Sequence, residues 1–122
     1  MMHARKTVAV IDDDGGVRAS LRVLLAGLSY NVELFASAEA FLVAAPDSKA
    51  NCLLVDVQLG DISGIELARQ LAADGLTFPI IFMTGCDEEH IRSQAEAAGG
   101  VAFLKKPFPA KLLFDTLKKA MR

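Results

Sequence analysis

The chain has 122 residues, 52% of them hydrophobic and 23% charged, with a formal net charge of −2. That suffices for one domain with a core of ordinary size, and it is too acidic for a surface devoted to nucleic acid. No apolar run approaches the ~20 residues that span a bilayer, and the opening Met1-Met2-His3-Ala4-Arg5-Lys6 enters a strand too short for a signal peptide's apolar region. The composition therefore predicts one cytoplasmic domain over residues 1–122, with no membrane segment and no direct nucleic-acid binding.

Thr7 to Ile11 is a β-branched run that ends on Asp12-Asp13-Asp14-Gly15-Gly16. Val17, Leu21, Leu24, Leu25 and Leu28 then recur at helical spacing. Asp14 is placed to cap that helix and Gly27 lies near its end, while Gly15-Gly16 predict a mobile loop ahead of it. Tyr30 to Phe35 alternates, as a strand near a sheet edge does. Ser37 caps a short helix with Phe41 and Leu42 inward, and Pro46 stops it.

Asn51 to Val57 is a near-continuous apolar run that reads as a strand buried on both faces, and it delivers one carboxylate, Asp56, at its far end. A polar loop, Gln58 to Gly64, leads to a helix with Ile65, Ala68, Leu71 and Ala72 on its stripe and Gly75 at its close. Pro79 to Thr84 is a second apolar run ending on a polar residue. Asp87 to Ala98 is helical in composition, but its stripe of Ile91, Ala95 and Ala98 is thin, so this helix should be the least firmly held. Val101 to Leu104 forms the last strand and runs into Lys105-Lys106-Pro107-Phe108, and Leu113, Leu117 and Ala120 give the closing helix its stripe. Cys52 and Cys86 fit no metal spacing, and Cys52 in a buried strand predicts a reduced thiol. His3 and His90 have no companions at ligand spacing and are expected at the surface.

Strands alternating with helices at short spacing predict an α/β fold, a parallel sheet covered by helices on both faces with right-handed crossovers. Ligands of such sheets bind at the carboxyl ends of the strands, where the strand order reverses. Asp12, Asp13, Asp56, Thr84 and Lys106 end four different strands, and this topology gathers them at one edge. Three neighbouring carboxylates repel one another, so a proton or a cation must offset them. Mg²⁺ suits such oxygen ligands: Asp13 and Asp56 as direct ligands, Asp12 holding a metal-bound water, and the backbone carbonyl of Gln58 within reach. Asp56 can then act as a nucleophile that accepts a phosphoryl group. Lys106 pairs with Asp56 before transfer and with the phosphoryl group after it, Thr84 offers a hydroxyl, and Gly85 leaves room. Gln58 and Cys86 flank the mouth of that pocket.

The segments Val10-Ile11-Asp12-Asp13-Asp14, Leu54-Val55-Asp56, Met83-Thr84-Gly85 and Phe103-Leu104-Lys105-Lys106-Pro107-Phe108 resemble a response-regulator receiver domain over essentially the whole chain. Ser37-Ala38-Glu39-Ala40-Phe41-Leu42 and Met83-Thr84-Gly85 are most similar to receivers of FixJ-type transcriptional regulators. The resemblance implies a flavodoxin-like (βα)5 three-layer sandwich with strand order 2-1-3-4-5. It implies Mg²⁺-dependent transfer from a sensor histidine kinase to Asp56, in a signalling domain that catalyses only its own phosphorylation and dephosphorylation. It also implies an aromatic switch at Phe103 coupled to Thr84, a cis bond between Lys106 and Pro107, and control of a DNA-binding output domain outside this chain or of a partner protein. A phosphorylation-dependent homodimer through the fourth helix and fifth strand belongs to the same implication. Leu59-Gly60 departs from the Met-Pro pair usual beside such a site, which leaves metal affinity and the lifetime of the phosphorylated form open. By residue type alone, Phe103 is a core aromatic.

Three rivals use the same residues. A haloacid-dehalogenase-type phosphatase would attack with Asp12 and use Asp14 as acid–base, but it needs an acidic pair after its lysine, and beyond Lys106 the sequence offers only Asp115. A pseudo-receiver would be a binding module that takes no phosphate, against which the complete acidic, hydroxyl and lysine set argues. A flavin or nucleotide domain would need a glycine-rich phosphate loop after the first strand, where this chain has acids.

Overall fold

β3 (Cys52–Asp56) is buried at all five positions because it occupies the middle of a five-stranded parallel sheet. The computed structural model describes residues 5–85 and 89–122 and orders the strands β2-β1-β3-β4-β5, with β1 at Thr7–Ile11, β2 at Asn31–Phe35, β4 at Ile80–Thr84 and β5 at Ala102–Lys105. β4 is likewise buried throughout, whereas the edge strands β2 and β5 are only partly covered, in keeping with the alternation of Tyr30 to Phe35 and the apolar runs of the centre.

Side chains alternate across the sheet, which splits the core in two. Val8, Val10, Cys52, Leu54, Ile81, Met83 and Leu104 face α1 (Gly15–Gly27) and α5 (Ala110–Ala120), which contribute Leu21, Leu25, Leu113 and Leu117. Ala9, Ile11, Leu53, Val55 and Phe82 face α2 (Ala38–Ala44), α3 (Gly64–Ala73) and α4 (Glu89–Ala97). Phe41 of α2 meets Phe35 and Phe78 edge-on, with ring centroids 5.1 and 5.6 Å apart, a geometry that suits the ring quadrupoles. Among the residues of α4 only Ala95 is fully buried, so the thin stripe read in the sequence is a weakly anchored helix.

The ends of the helices follow local chemistry. Asp14 accepts from the N–H groups of Gly16 and Val17 at 2.8 and 3.1 Å. Gly15-Gly16 are therefore the first helical residues of α1 rather than the mobile loop expected, since the cap satisfies donors that glycine alone would leave to water. Ser37 caps α2 through the Ala40 N–H, and Ser63, a loop residue by sequence pattern, caps α3 through the Glu66 N–H at 3.1 Å. At the end of α1 the left-handed residue is Ser29 (φ 72°), two positions after Gly27, while Gly75 (φ 73°) does close α3. The expected surface position of His3, the place of Cys86 at the pocket mouth and the start of the fourth helix at Asp87 lie outside the described residues.

Two glycines are fixed by close packing. A Cβ on Gly64 would collide with the Asp56 carbonyl oxygen and approach Val55 Cγ1 at 2.8 Å, and one on Gly100 would come within 2.6 Å of the Phe82 ring. Gly64→Ala is expected to cost the upper end of the roughly 1–3 kcal/mol typical of overpacking, with Gly100→Ala in the same range. Gly60→Ala, whose added carbon meets nothing within 4 Å, is expected to be neutral or to gain up to about 1 kcal/mol through the unfolded chain; urea midpoints of the three variants check this ordering. Burial pushes the Cys52 thiol up to about 12, against a weaker opposing bond to the Leu53 carbonyl. At mildly alkaline pH iodoacetamide should label Cys52 only in unfolded protein, as peptide mass analysis will show.

Candidate functional site at the strand tips

Parallel register builds the site. Ile11 of β1 lies beside Val55 of β3, so the next residues along, Asp12 and Asp56, leave the sheet side by side. On the other flank Asp56 pairs with Met83, and Thr84 pairs with Lys105, which brings Thr84 and Lys106 to the same edge. The Lys106 N–H donates to the Thr84 carbonyl at 2.7 Å and the Val57 N–H to the Met83 carbonyl at 2.9 Å, so the ladder continues past the last strand residues. The Lys106–Pro107 peptide bond is cis.

Lys106 Nζ donates to Asp12 Oδ2 at 2.8 Å and to Asp56 Oδ2 at 2.9 Å. One ammonium thus serves two buried carboxylates: Asp12 is 0% and Asp56 7% exposed. Burial is the main influence lifting the Asp56 carboxyl above its ordinary value, and the Asp12 charge adds to it, outweighing the pull of Lys106 and of the Gln58 N–H bound to Asp56 Oδ1 at 3.0 Å. Burial alone would lower Lys106, but its bonds to Asp12 and Asp56 prevail and raise it. Both directions follow from a net negative charge held at low dielectric.

The carboxylates differ in availability. Asp12 is clamped: its Oδ1 accepts from the Asp14 N–H at 2.9 Å, Oδ2 from Lys106, and its carbonyl from Arg18 Nη1 at 2.7 Å. Asp13 is exposed. One oxygen from each of Asp12, Asp13 and Asp56 lies within 4.8 Å of the others, a spacing that could hold a metal ion, and among the described residues this is the only such cluster. An all-oxygen donor set with excess negative charge fits a hard divalent cation. The backbone of Gln58 borders the cluster through its bond to Asp56. Thr84 is fully buried, Gly85 is exposed with open space where a Cβ would stand, and Phe103 is half-buried on β5.

The departure at Leu59-Gly60 is confined. Leu59 is 9% exposed and belongs to the core on the α3 side, and the Gly64 N–H donates to the Val57 carbonyl at 3.0 Å. Both ends of the loop are therefore held, and a Cβ at Gly60 would meet nothing within 4 Å. Arg18 and Gly64 escaped the sequence reading. Arg18 reads as a polar position on a helix, and no local pattern shows that it reaches back one turn to a strand-end carbonyl. Gly64 reads as an ordinary loop glycine.

The family model of the response regulator receiver domain matches residues 8–118. The transcriptional regulatory protein FixJ of Bradyrhizobium diazoefficiens is 37% identical over 121 residues, covering 99% of this chain and 59% of that protein. The response regulator protein TodT of Pseudomonas putida is 33% identical over 122 residues, covering all of this chain and 54% of its own length. The chain thus spans little more than half of these curated relatives. Among solved structures, the FixJ-N crystal structure superposes with a TM-score of 0.91 at 34% identity, covering 98% of this chain and 95% of that one. Full-length FixJ from B. japonicum gives 0.91 at 37%, covering 98% and 59%. With the sheet order, the acidic cluster and the bridging lysine in place, the chain belongs to the response regulator receiver domains, with the flavodoxin-like fold of that family.

Proposed function

We propose that Asp56 is the phosphoacceptor of this receiver and that Lys106, bridging Asp56 and Asp12 at 2.9 and 2.8 Å, is the observation that carries the assignment. An Asp56 oxygen attacks the phosphorus of a phosphohistidine on a sensor histidine kinase. The N–P bond breaks, its electron pair stays with the imidazole, and an aspartyl phosphate forms. Lys106 keeps its charge and shifts its ion pair from the carboxylate to a phosphoryl oxygen, and the Thr84 hydroxyl donates to another. Asp13, Asp56 and the Gln58 carbonyl would hold Mg²⁺, with Asp12 orienting a bound water. When bound, the ion neutralises the phosphoryl oxygens.

The burial of Asp12 supports this reading over the phosphatase. Both acids have both oxygens hydrogen-bonded, but a nucleophile must be reached from solvent, and Asp12 is fully buried whereas Asp56 keeps 7% exposure. An open cleft of about 580 Å³, lined by Asp14, Val17, Leu21, Lys106 and Phe108 among others, adjoins the site and suits the approach of the kinase. Thr84 and Phe103 lie on one face of the sheet, since Thr84 pairs with Lys105 and Phe82 with Phe103. Movement of Thr84 toward the phosphoryl group would open space for the Phe103 ring and shift the population of α4–β5 packings. That surface is the proposed homodimer interface and the route to a DNA-binding output domain outside this chain.

Incubation with Mg²⁺ and a small phosphodonor is expected to add one phosphoryl mass located on Asp56 and absent in Asp56→Asn, whereas turnover of phosphate esters that depends on Asp12 would refute the assignment. Lys106→Ala should slow phosphorylation by at least an order of magnitude. Linkage supplies a further test. A carboxyl raised on folding contributes stability at low pH that is lost as pH rises through its folded value. Metal-free Asp56→Asn should therefore melt above the parent at neutral pH, the gap closing below about pH 4 where Asp56 is protonated in both states. Adding Mg²⁺ should raise the melting temperature of the parent far more than that of the variant.

A further inference from the structure

We propose that Arg92 is a positioning residue for the switch: its guanidinium, seated on the Phe103 ring, holds the ring in the resting packing and sets how readily the domain is activated. The inference rests on the reading of Asp56 and Phe103 above and adds to it the element that opposes the change. Arg92 Cζ lies 5.5 Å from the centroid of the Phe103 ring, within cation–π range. Arg92 sits one turn before Ala95, the buried residue of α4, on the helix that covers the face shared by Thr84 and Phe103. Its Nε lies 4.0 Å from Glu96 Oε1, one turn further along the same helix, an exposed pair that adds little to the contact with the ring.

The surroundings give this contact weight. α4 buries little else, with Ile91 and Ala98 only partly covered, so one cation–π contact is a sizeable share of what ties α4 to β5. A small cavity of about 170 Å³ is lined by Arg92, Ala95, Gly100 and Phe103 among others, so the ring is not close-packed on every side, and in leaving its seat it gives up the guanidinium. Because Phe103 must move for activation, anything that favours its resting seat raises the concentration of activator needed by the same factor.

The contact is partly solvated, the Arg92 side chain being 51% exposed, so its removal should favour the activated packing by roughly two- to five-fold. The test titrates Mg²⁺-saturated protein with beryllofluoride, a phosphoryl mimic, following the amide spectrum of α4 and β5. Arg92→Met keeps the aliphatic stem without the charge and should lower the half-saturating concentration by that factor. Arg92→Lys, which keeps a cation, should move it less. In a Phe103→Leu background, where the ring face is gone, Arg92→Met should have no effect, a result that a merely structural role for Arg92 would not produce. A shift of equal size in that background, or no shift in either, overturns the role of Arg92 while beryllofluoride binding itself sustains the phosphoacceptor reading. Failure of the parent to bind beryllofluoride overturns both. Urea midpoints of each variant separate altered activation from altered folding.

Discussion

Two buried carboxylates share one ammonium, and most of the structure serves that arrangement. Neither Asp12 nor Asp56 would be tolerated at such burial without a partner, and Lys106 is the group that reaches both. For Lys106 to be there, β5 must end one strand beyond β4. For the acids to adjoin, β1 and β3 must be neighbours in register. A slip of one residue on any of these strands would exchange the two faces of the sheet and scatter the site. The core that locks the register thus also sets the geometry of the charges.

The molecule is firm on one side and loose on the other. β1, β3 and β4 are almost wholly buried, and Gly64 packs directly against the backbone of Asp56. Toward β5 the packing thins, to a helix with one buried alanine and a partly buried ring under an arginine. This distribution suits a domain whose chemistry needs fixed atoms and whose signal needs a movable surface. The clamp on Asp12 belongs to the firm side: both of its oxygens and its carbonyl are engaged, as are both oxygens of Asp56, and Asp13 is the exposed carboxylate of the three.

The legible parts were those written in local pattern. The β-branched runs ending on acids, the helical stripes of α1, α3 and α5 and the caps at Asp14 and Ser37 could be read directly, because period and capping are short-range properties. Where pattern misleads, competing local chemistry or a partner beyond the pattern decides. Gly15-Gly16 are helical because the adjacent Asp14 caps them, so the cap outweighs the looseness of two glycines. Ser29, rather than a glycine, took the left-handed turn after α1. Arg18 and Gly64 gained their places from a strand-end carbonyl and a strand backbone that are distant in sequence or invisible to spacing.

By itself the sequence determined the alternation of strands and helices, the parallel sheet, and which residue types stand at the strand ends, since burial on both faces and helical amphipathicity leave their marks in the order of apolar residues. Only the tertiary structure decided how those end groups share charge: that Lys106 bridges two acids instead of pairing with one, that Asp12 is fully occupied while Asp13 is open, and that Arg92 rests on Phe103. The reason is physical. Periodicity is a property of neighbours along the chain, whereas the protonation, reach and competition of charged groups depend on distances that exist only once the sheet has closed.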